Sequence, residues 1–172
     1  MEFKIVVLGG GGGGSSILNA LKKLFYESKI KSLVGLISTA DDGGSTGILK
    51  KEYNTSAWGD IGKNILALVD TRKKELDSFK SCLSYRFEEG ILKGHTVRNI
   101  VMTAFSLLSN YEDDCVIKEL SKLLQIDQNL KIFPITDRPT SCSLIFDDEK
   151  MIDGQNNITM FPIQNYNSKH KI

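Results

Sequence analysis

Apolar positions along the chain fall into a small number of runs with clear periods. Phe3–Leu8 is a short, β-branched stretch without alternation, which predicts a strand covered on both faces. Ile17, Leu18, Leu21, Leu24 and Phe25 then follow at helical spacing, with Ser15 and Ser16 supplying cap-type hydroxyls in front of them. Leu33–Ile37 is a second strand-like run, so the order strand–helix–strand predicts a right-handed parallel crossover. The middle reads as helical. Asp60 is placed to cap a helix with a buried stripe of Ile61, Ile65, Leu68 and Val69, and Leu76–Phe87 reads as another helix. From Thr96, the residues Val97, Ile100, Val101, Ala104, Phe105 and Leu108 predict an apolar helix buried on most sides. Val116–Leu124 gives one more, with Ile117, Leu120 and Leu124 inward.

Leu130–Ile135 returns to strand character, and all three prolines, Pro134, Pro139 and Pro162, lie in this last third. Leu144–Phe146 and Met151–Ile152 predict a hairpin with the charged tip Asp147–Lys150. Gln155–Asn157 reads as a polar turn before Ile158–Phe161, and the polar tail from Gln164 to Ile172 is expected to fray. No internal repeat or composition shift divides the chain. The expected class is α/β: a Rossmann-like parallel sheet flanked by helices, with a small β-hairpin region toward the C-terminus, forming a single domain over residues 1–172.

Composition narrows the partners. The 172 residues are 41% hydrophobic and carry 22 basic against 21 acidic side chains, enough for a core and against disorder. A net charge of +1 provides no global footprint for nucleic acid or anionic membrane. No apolar run has the length of a membrane span and no signal peptide is evident, so a cytoplasmic protein without membrane insertion is expected. Cys82, Cys115 and Cys142 share no metal-type spacing and read as small buried or half-buried thiols.

Glycine carries the candidate chemistry, because six of the 15 form the unbroken run Gly9–Gly14 after the first strand. Glycines there allow positive φ, and a following helix start aims backbone N–H groups at an anion. Gly10, Gly11, Gly12, Gly13 and Ser15 are therefore candidate phosphate or diphosphate contacts, although the run could also be only a flexible loop. No Lys-Ser/Thr follows, which excludes a Walker-type loop. Asp41-Asp42-Gly43-Gly44-Ser45 lies beyond the second strand, where the ligand crevice of an open parallel sheet is found. A carboxylate there either meets ribose or sugar hydroxyls or braces the loop as an Asx-turn. Asp60 is a cap or a site residue, with Lys63 and Asn64 beside it, and Trp58 stacks on a base or anchors its loop. His95 and Asn99, at the start of an apolar helix, complete the set, and a single histidine there is structural or functional. No catalytic residue and no metal ligand is assigned.

Taken in order, these segments resemble the YvcK family, the gluconeogenesis factors grouped with the CofD-type 2-phospho-L-lactate transferases. The family's V-V-x-G-G-G-T-G-x-S corresponds to Val6–Ser15, its A-D-D-G-G-S-S-G to Ala40–Gly47, and its P-P-G-D-x-R-N to Ala57–Asn64. Its Y-R-F and G-H-x-x-G-N are similar to Tyr85-Arg86-Phe87 and Gly94–Asn99, and its V-x-P-x-T and G-E-S-N-I segments to Phe133–Thr136 and Ile152–Ile158. The continuation Gly43–Gly47 favours the YvcK branch over the transferase branch. The resemblance implies a cytoplasmic Rossmann-like protein that binds a UDP-sugar such as UDP-N-acetylglucosamine, or a dinucleotide, and acts in carbon metabolism, envelope synthesis and cell shape. It leaves room for a homo-oligomer. The alternatives are a CofD-like transferase, with Asp41 and Asp42 positioning Mg²⁺ beside a nucleotide diphosphate, and a truncated member that binds weakly or not at all.

The departures are Gly12 for the family's threonine, Ala57-Trp58 for its proline pair, Arg98 for a glycine, and Ile48 for a basic residue, with Lys50 and Lys51 as nearby substitutes. Family members are also much longer, with a second-half G-P-G-S-x-x-T-S loop that nothing after Ile158 resembles. The resemblance thus covers the family's amino-terminal part, and the fold is expected to be truncated relative to it.

Overall fold

The computed structural model describes residues 3–110, 112–136 and 140–162. Three parallel strands, β1 (Phe3–Gly9), β2 (Ile30–Ile37) and β3 (Leu130–Pro134), pair in the order β1-β2-β3. Helix α1 (Gly11–Tyr26) makes the first crossover. The long second connection carries α2 (Gly44–Tyr53), α3 (Trp58–Ala67), α4 (Lys74–Ser84), α5 (Val97–Leu108) and α6 (Asp113–Leu123). An antiparallel hairpin, β4 (Ser143–Ile145) with β5 (Met151–Asp153), and the short helix α7 (Gln155–Met160) follow. The parallel sheet with flanking helices and the late hairpin are as the sequence predicts. The Gln164–Ile172 tail and Pro139 lie outside the described residues.

One face of the sheet builds the core. Val7, Leu33, Ile37, Leu130 and Ile132 meet Leu18 of α1, Ile61 and Ile65 of α3, and Val116 and Leu120 of α6 in one cluster. Gly35 is required at the centre, since a Cβ there would stand 2.8 Å from Ile132 Cδ1. Leu68 and Val69 extend the predicted α3 stripe into the same core, at 1% and 0% exposure.

The opposite face is bare among the described residues, which corrects the reading of β1 as covered on both sides. Val6 is 56% exposed and Leu8 68%, while Val7 between them is 7% exposed. Phe133 and Ile135 continue the open face on the β3 side. The unalternating apolar sequence fits a strand buried on both faces; within the described residues only one cover is present.

Other differences are local. Helix α1 begins at Gly11, so Gly11–Gly14 form its first turn and Ser15 and Ser16 lie inside it rather than capping it. None of Gly9–Gly14 has positive φ. Helix α5 is less buried than its apolar sequence predicts: its buried residues are Asn99, Met102, Thr103 and Ser106, and Leu108 is 82% exposed. That helix packs through a polar stripe, which apolar periodicity does not register. Residues 155–160 are helical rather than a turn, and Cys82 and Cys142 are exposed.

Candidate functional site

The candidate residues gather at the carboxyl ends of β1 and β2. Ser38 N–H donates to Gly9 O across the strand ends at 2.9 Å, holding the two loops side by side. Asp60, two residues into α3, does not cap its own helix. Its carboxylate accepts the Gly11 N–H at 2.7 Å and so caps α1. A Cβ on Gly11 would collide with that carboxylate, and one on Gly14 would lie 2.9 Å from Asn64 Oδ1. The glycines are therefore needed for close approach of α3 to α1. Gly12 and Gly13 remain free of such packing: a Cβ on Gly13 meets nothing within 4 Å, and one on Gly12 only Lys63 Nζ, at 3.5 Å. Ser15 and Ser16 hydroxyls both donate to Gly12 O at 3.0 Å.

Both carboxylates of the second loop hold backbone. Asp41 Oδ1 accepts Gly43 N–H at 3.0 Å, an Asx-turn, and Asp42 Oδ1 accepts Asn156 N–H at 2.9 Å, tying the loop to the start of α7. Gly44 has φ +45°, which favours glycine at the start of α2. The α2 and α3 starts touch closely, for a side chain on Gly59 would strike Thr46 Oγ1 and Asp41 Oδ2. Burial pushes the Asp60 carboxyl up from the ordinary carboxylate value; Asp41 adds to this, while the Gly11 bond, Lys63 and Arg98 oppose it.

Ser45, His95 and Asn99 form a connected cluster. Asn99 Nδ2 donates to Ser45 Oγ at 3.1 Å, and Ser45 Oγ shares a hydrogen bond with His95 Nδ1 at 3.0 Å whose direction follows the histidine tautomer. Asn64 Nδ2 donates to Asp60 O at 2.8 Å, and both Asn64 Oδ1 and Asn99 Oδ1 are buried without a hydrogen-bond partner. Trp58 is 2% exposed and anchors the α3 start, and Lys50 Nζ donates to Thr140 O at 3.1 Å. Residues missed by sequence reasoning are Ser56 and Asp113, hydrogen-bonded in a cleft at the end of β3, and Lys80 and Ser84, which border α1 with Lys63 and Arg98. Their sequence surroundings carry no motif, and only the packing of α3, α4, α5 and α6 assembles them.

Residues 5–171 match the family described as 2-phospho-L-lactate transferase CofD. The chain belongs to that family. Its curated relatives include a gluconeogenesis factor of Listeria innocua, 34% identical over 162 residues covering 94% of this chain and 46% of the relative. Putative gluconeogenesis factors of Aquifex aeolicus and Thermotoga maritima are 36% and 32% identical, covering 93% and 90% of this chain and 46% of each relative. A solved structure of a Bacillus halodurans protein of the UPF0052 family superposes with TM-score 0.75 at 27% identity, covering 90% of this chain and 46% of the other. The chain thus spans about half the length of the relatives it matches. No helix among the described residues is long and apolar enough to cross a membrane.

Proposed function

We propose that this chain carries the anion-holding part of a nucleotide-sugar site, in a regulatory protein of the gluconeogenesis-factor kind. The supporting observation is the α1 start. Asp60 occupies the Gly11 N–H, but Gly12 and Gly13 present backbone without side chains beside Lys63, which suits a diphosphate. On this reading Gly10, Gly12, Gly13 and Ser15 border the diphosphate, Asp41, Asp42, Gly43 and Gly44 shape the loop that meets ribose or sugar hydroxyls, and Ser45, His95 and Asn99 form the far side. Asp60, Asn64 and Gly11 act by fixing the geometry of α1. The ligand is a UDP-sugar or a dinucleotide, and the cellular role is control of carbon metabolism, envelope synthesis and cell shape. A cytoplasmic location and self-association of the chain belong to the same reading.

The transferase reading rests on the family's description. Its Mg²⁺ would call on one or two carboxylates together with the diphosphate, and Asp41, Asp42 and Asp60 each commit one of their two oxygens to a backbone N–H. Among the described residues no group of three His, Cys, Asp or Glu side chains assembles to hold a metal ion. Asp41 and Asp42 are the residues that would hold such an ion through their second oxygens, and it would supply charge neutralisation beside a diphosphate.

Thermal unfolding with UDP-N-acetylglucosamine tests the proposal. Binding to the folded state alone raises the melting temperature. Gly13→Ala, whose methyl would stand where the diphosphate approaches, should fold normally and lose the rise. No shift at millimolar ligand in the unsubstituted protein would overturn the reading.

A further inference from the structure

A cleft of 370 Å³ opens on the flank of α1, away from the loop of Asp41 and Asp42. Lys63 of α3, Lys80 of α4 and Arg98 of α5 line it together with the hydroxyls of Ser15, Ser16 and Ser84, and no acidic side chain lines it. Among the described residues none of the three cations forms an ion pair; the salt bridges found there are Lys29–Glu27 and Arg72–Asp70. Three cations with one acid, Asp60, nearby leave an excess of like charge, which is unfavourable and is ordinarily relieved by a bound anion.

Arg98 is the decisive member. It is half-buried, and its Nε is buried with no hydrogen-bond partner. A buried N–H left unpaired costs free energy, which a small shift of the side chain toward an anion in the cleft would recover. Room for its stem comes from Gly62, where a Cβ would lie 3.3 Å from Arg98 Cδ and 2.7 Å from Met102 Sδ. Burial and the nearby Arg86 both act against its charge, and Asp60 is the acid that offsets them. One Asp60 carboxylate, which also accepts the Gly11 N–H, faces both Arg98 and Lys63 and offsets only part of their charge.

We propose that this cleft is a binding site for a phosphate group, with Arg98 as its principal ligand and Lys63 and Lys80 completing the charge. A guanidinium presents planar paired donors that suit two phosphate oxygens, the two ammonium groups neutralise the remaining charge, and the serine hydroxyls can turn toward the anion. The phosphate is either a free anion or part of a larger phosphorylated ligand. The site shares Ser15 and Lys63 with the diphosphate position proposed above, but its cationic lining carries it without the nucleotide-sugar reading.

Inorganic pyrophosphate is the probe, followed through the Arg98 Nε–Hε signal by nuclear magnetic resonance and through calorimetric titration. The full chain should show saturable binding, with the Arg98 Hε resonance shifted and protected from exchange. Arg98→Gln and Lys80→Gln should each weaken binding by about tenfold or more, the scale of losing a charge-assisted hydrogen bond, with unchanged melting temperature in the absence of anion. Should Arg98→Gln fail to fold, Lys63→Gln, which should weaken binding likewise, carries the test, since Lys63 is exposed. Absence of saturable binding at millimolar pyrophosphate, or equal affinity in the folded variants, overturns the proposal. A second titration with UDP-N-acetylglucosamine on pyrophosphate-loaded protein separates the two sources. Competition assigns the cleft to the diphosphate of the nucleotide, and independent binding assigns it to a free anion; both uphold the site. Pyrophosphate binding without nucleotide binding would sink the nucleotide-sugar reading and leave this one standing.

Discussion

The Asp60 carboxylate accepts the Gly11 N–H at 2.7 Å, so the first residue inside α1 is capped by the side chain of another helix, 49 positions away. The N-cap residue itself, Gly10, contributes no side-chain bond. A carboxylate at this end also meets the positive pole of the helix dipole, which is why it is held there despite its burial.

The four glycines of that first turn should respond unequally to alanine. Gly13→Ala adds a methyl in open space and removes a flexible residue from a helix, so a stability gain of about 0.5–1 kcal/mol is expected. Gly11→Ala places the same methyl against the Asp60 carboxylate and should cost about 1–3 kcal/mol. Denaturant unfolding of the two variants measures the contrast. Equal effects would mean that the α1–α3 contact is not the reason for glycine.

Removing the cap gives a related result. Asp60→Ala should destabilise by about 1–2 kcal/mol, since the Gly11 N–H loses its acceptor, whereas Asp60→Asn keeps an acceptor oxygen and should retain most of the stability. Amide hydrogen exchange at Gly11 is the direct readout: fast in the alanine variant, slow in the asparagine variant.

How much of this was legible beforehand depends on the kind of signal. Strand–helix–strand order, the α3 stripe and the late hairpin follow from periodicity, and periodicity is local. The ordered segments around the glycine run, Ala40–Gly47 and Gly94–Asn99 carry a family resemblance that the match over residues 5–171 bears out. What stayed hidden is partnership across distance. Asp60 looks like the cap of its own helix because it lies only three residues from the cap position, Ala57, and only the α1–α3 approach decides which helix it serves. Ser15 looks like a capping hydroxyl because glycine is a poor helix former, yet packing against Asp60 and Asn64 draws Gly11–Gly14 into α1. The Ser45–His95 bond joins residues 50 apart and has no sequence signature. Arg98 reads as an isolated departure until α4 and α3 bring Lys80 and Lys63 beside it.

Neighbouring valines of β1 offer a test of the open sheet face. Val7→Ala removes buried methyl groups and should cost about 2 kcal/mol, while Val6→Ala, at a residue 56% exposed, should cost under about 0.5 kcal/mol. The comparison is made by denaturant unfolding at several protein concentrations. A large cost for Val6→Ala that grows with concentration would show that a second copy covers this face in solution.

Lys22 supplies the pH dependence. It is 5% exposed on α1, and its ammonium donates to Val69 O at 2.6 Å. Burial is the main cause that lowers its pKa from 10.5 to about 8, with Lys80 adding to the effect and Asp70 opposing it. Because the folded pKa lies below the unfolded one, the unfolded chain binds more protons between pH 8 and 10.5, and stability contributed by this residue rises with pH across that window. Below pH 8 the lysine is charged in both states and its full burial penalty is present. Lys22→Met keeps the volume and removes the charge. Relative to the unsubstituted protein it should be at its most favourable at pH 7 and should lose ground steadily toward pH 10, as the native lysine becomes neutral and keeps its bond to Val69. Urea unfolding of both proteins at each pH gives the difference directly. A difference that stays flat from pH 7 to 10 would show that Lys22 keeps its proton on folding throughout the range.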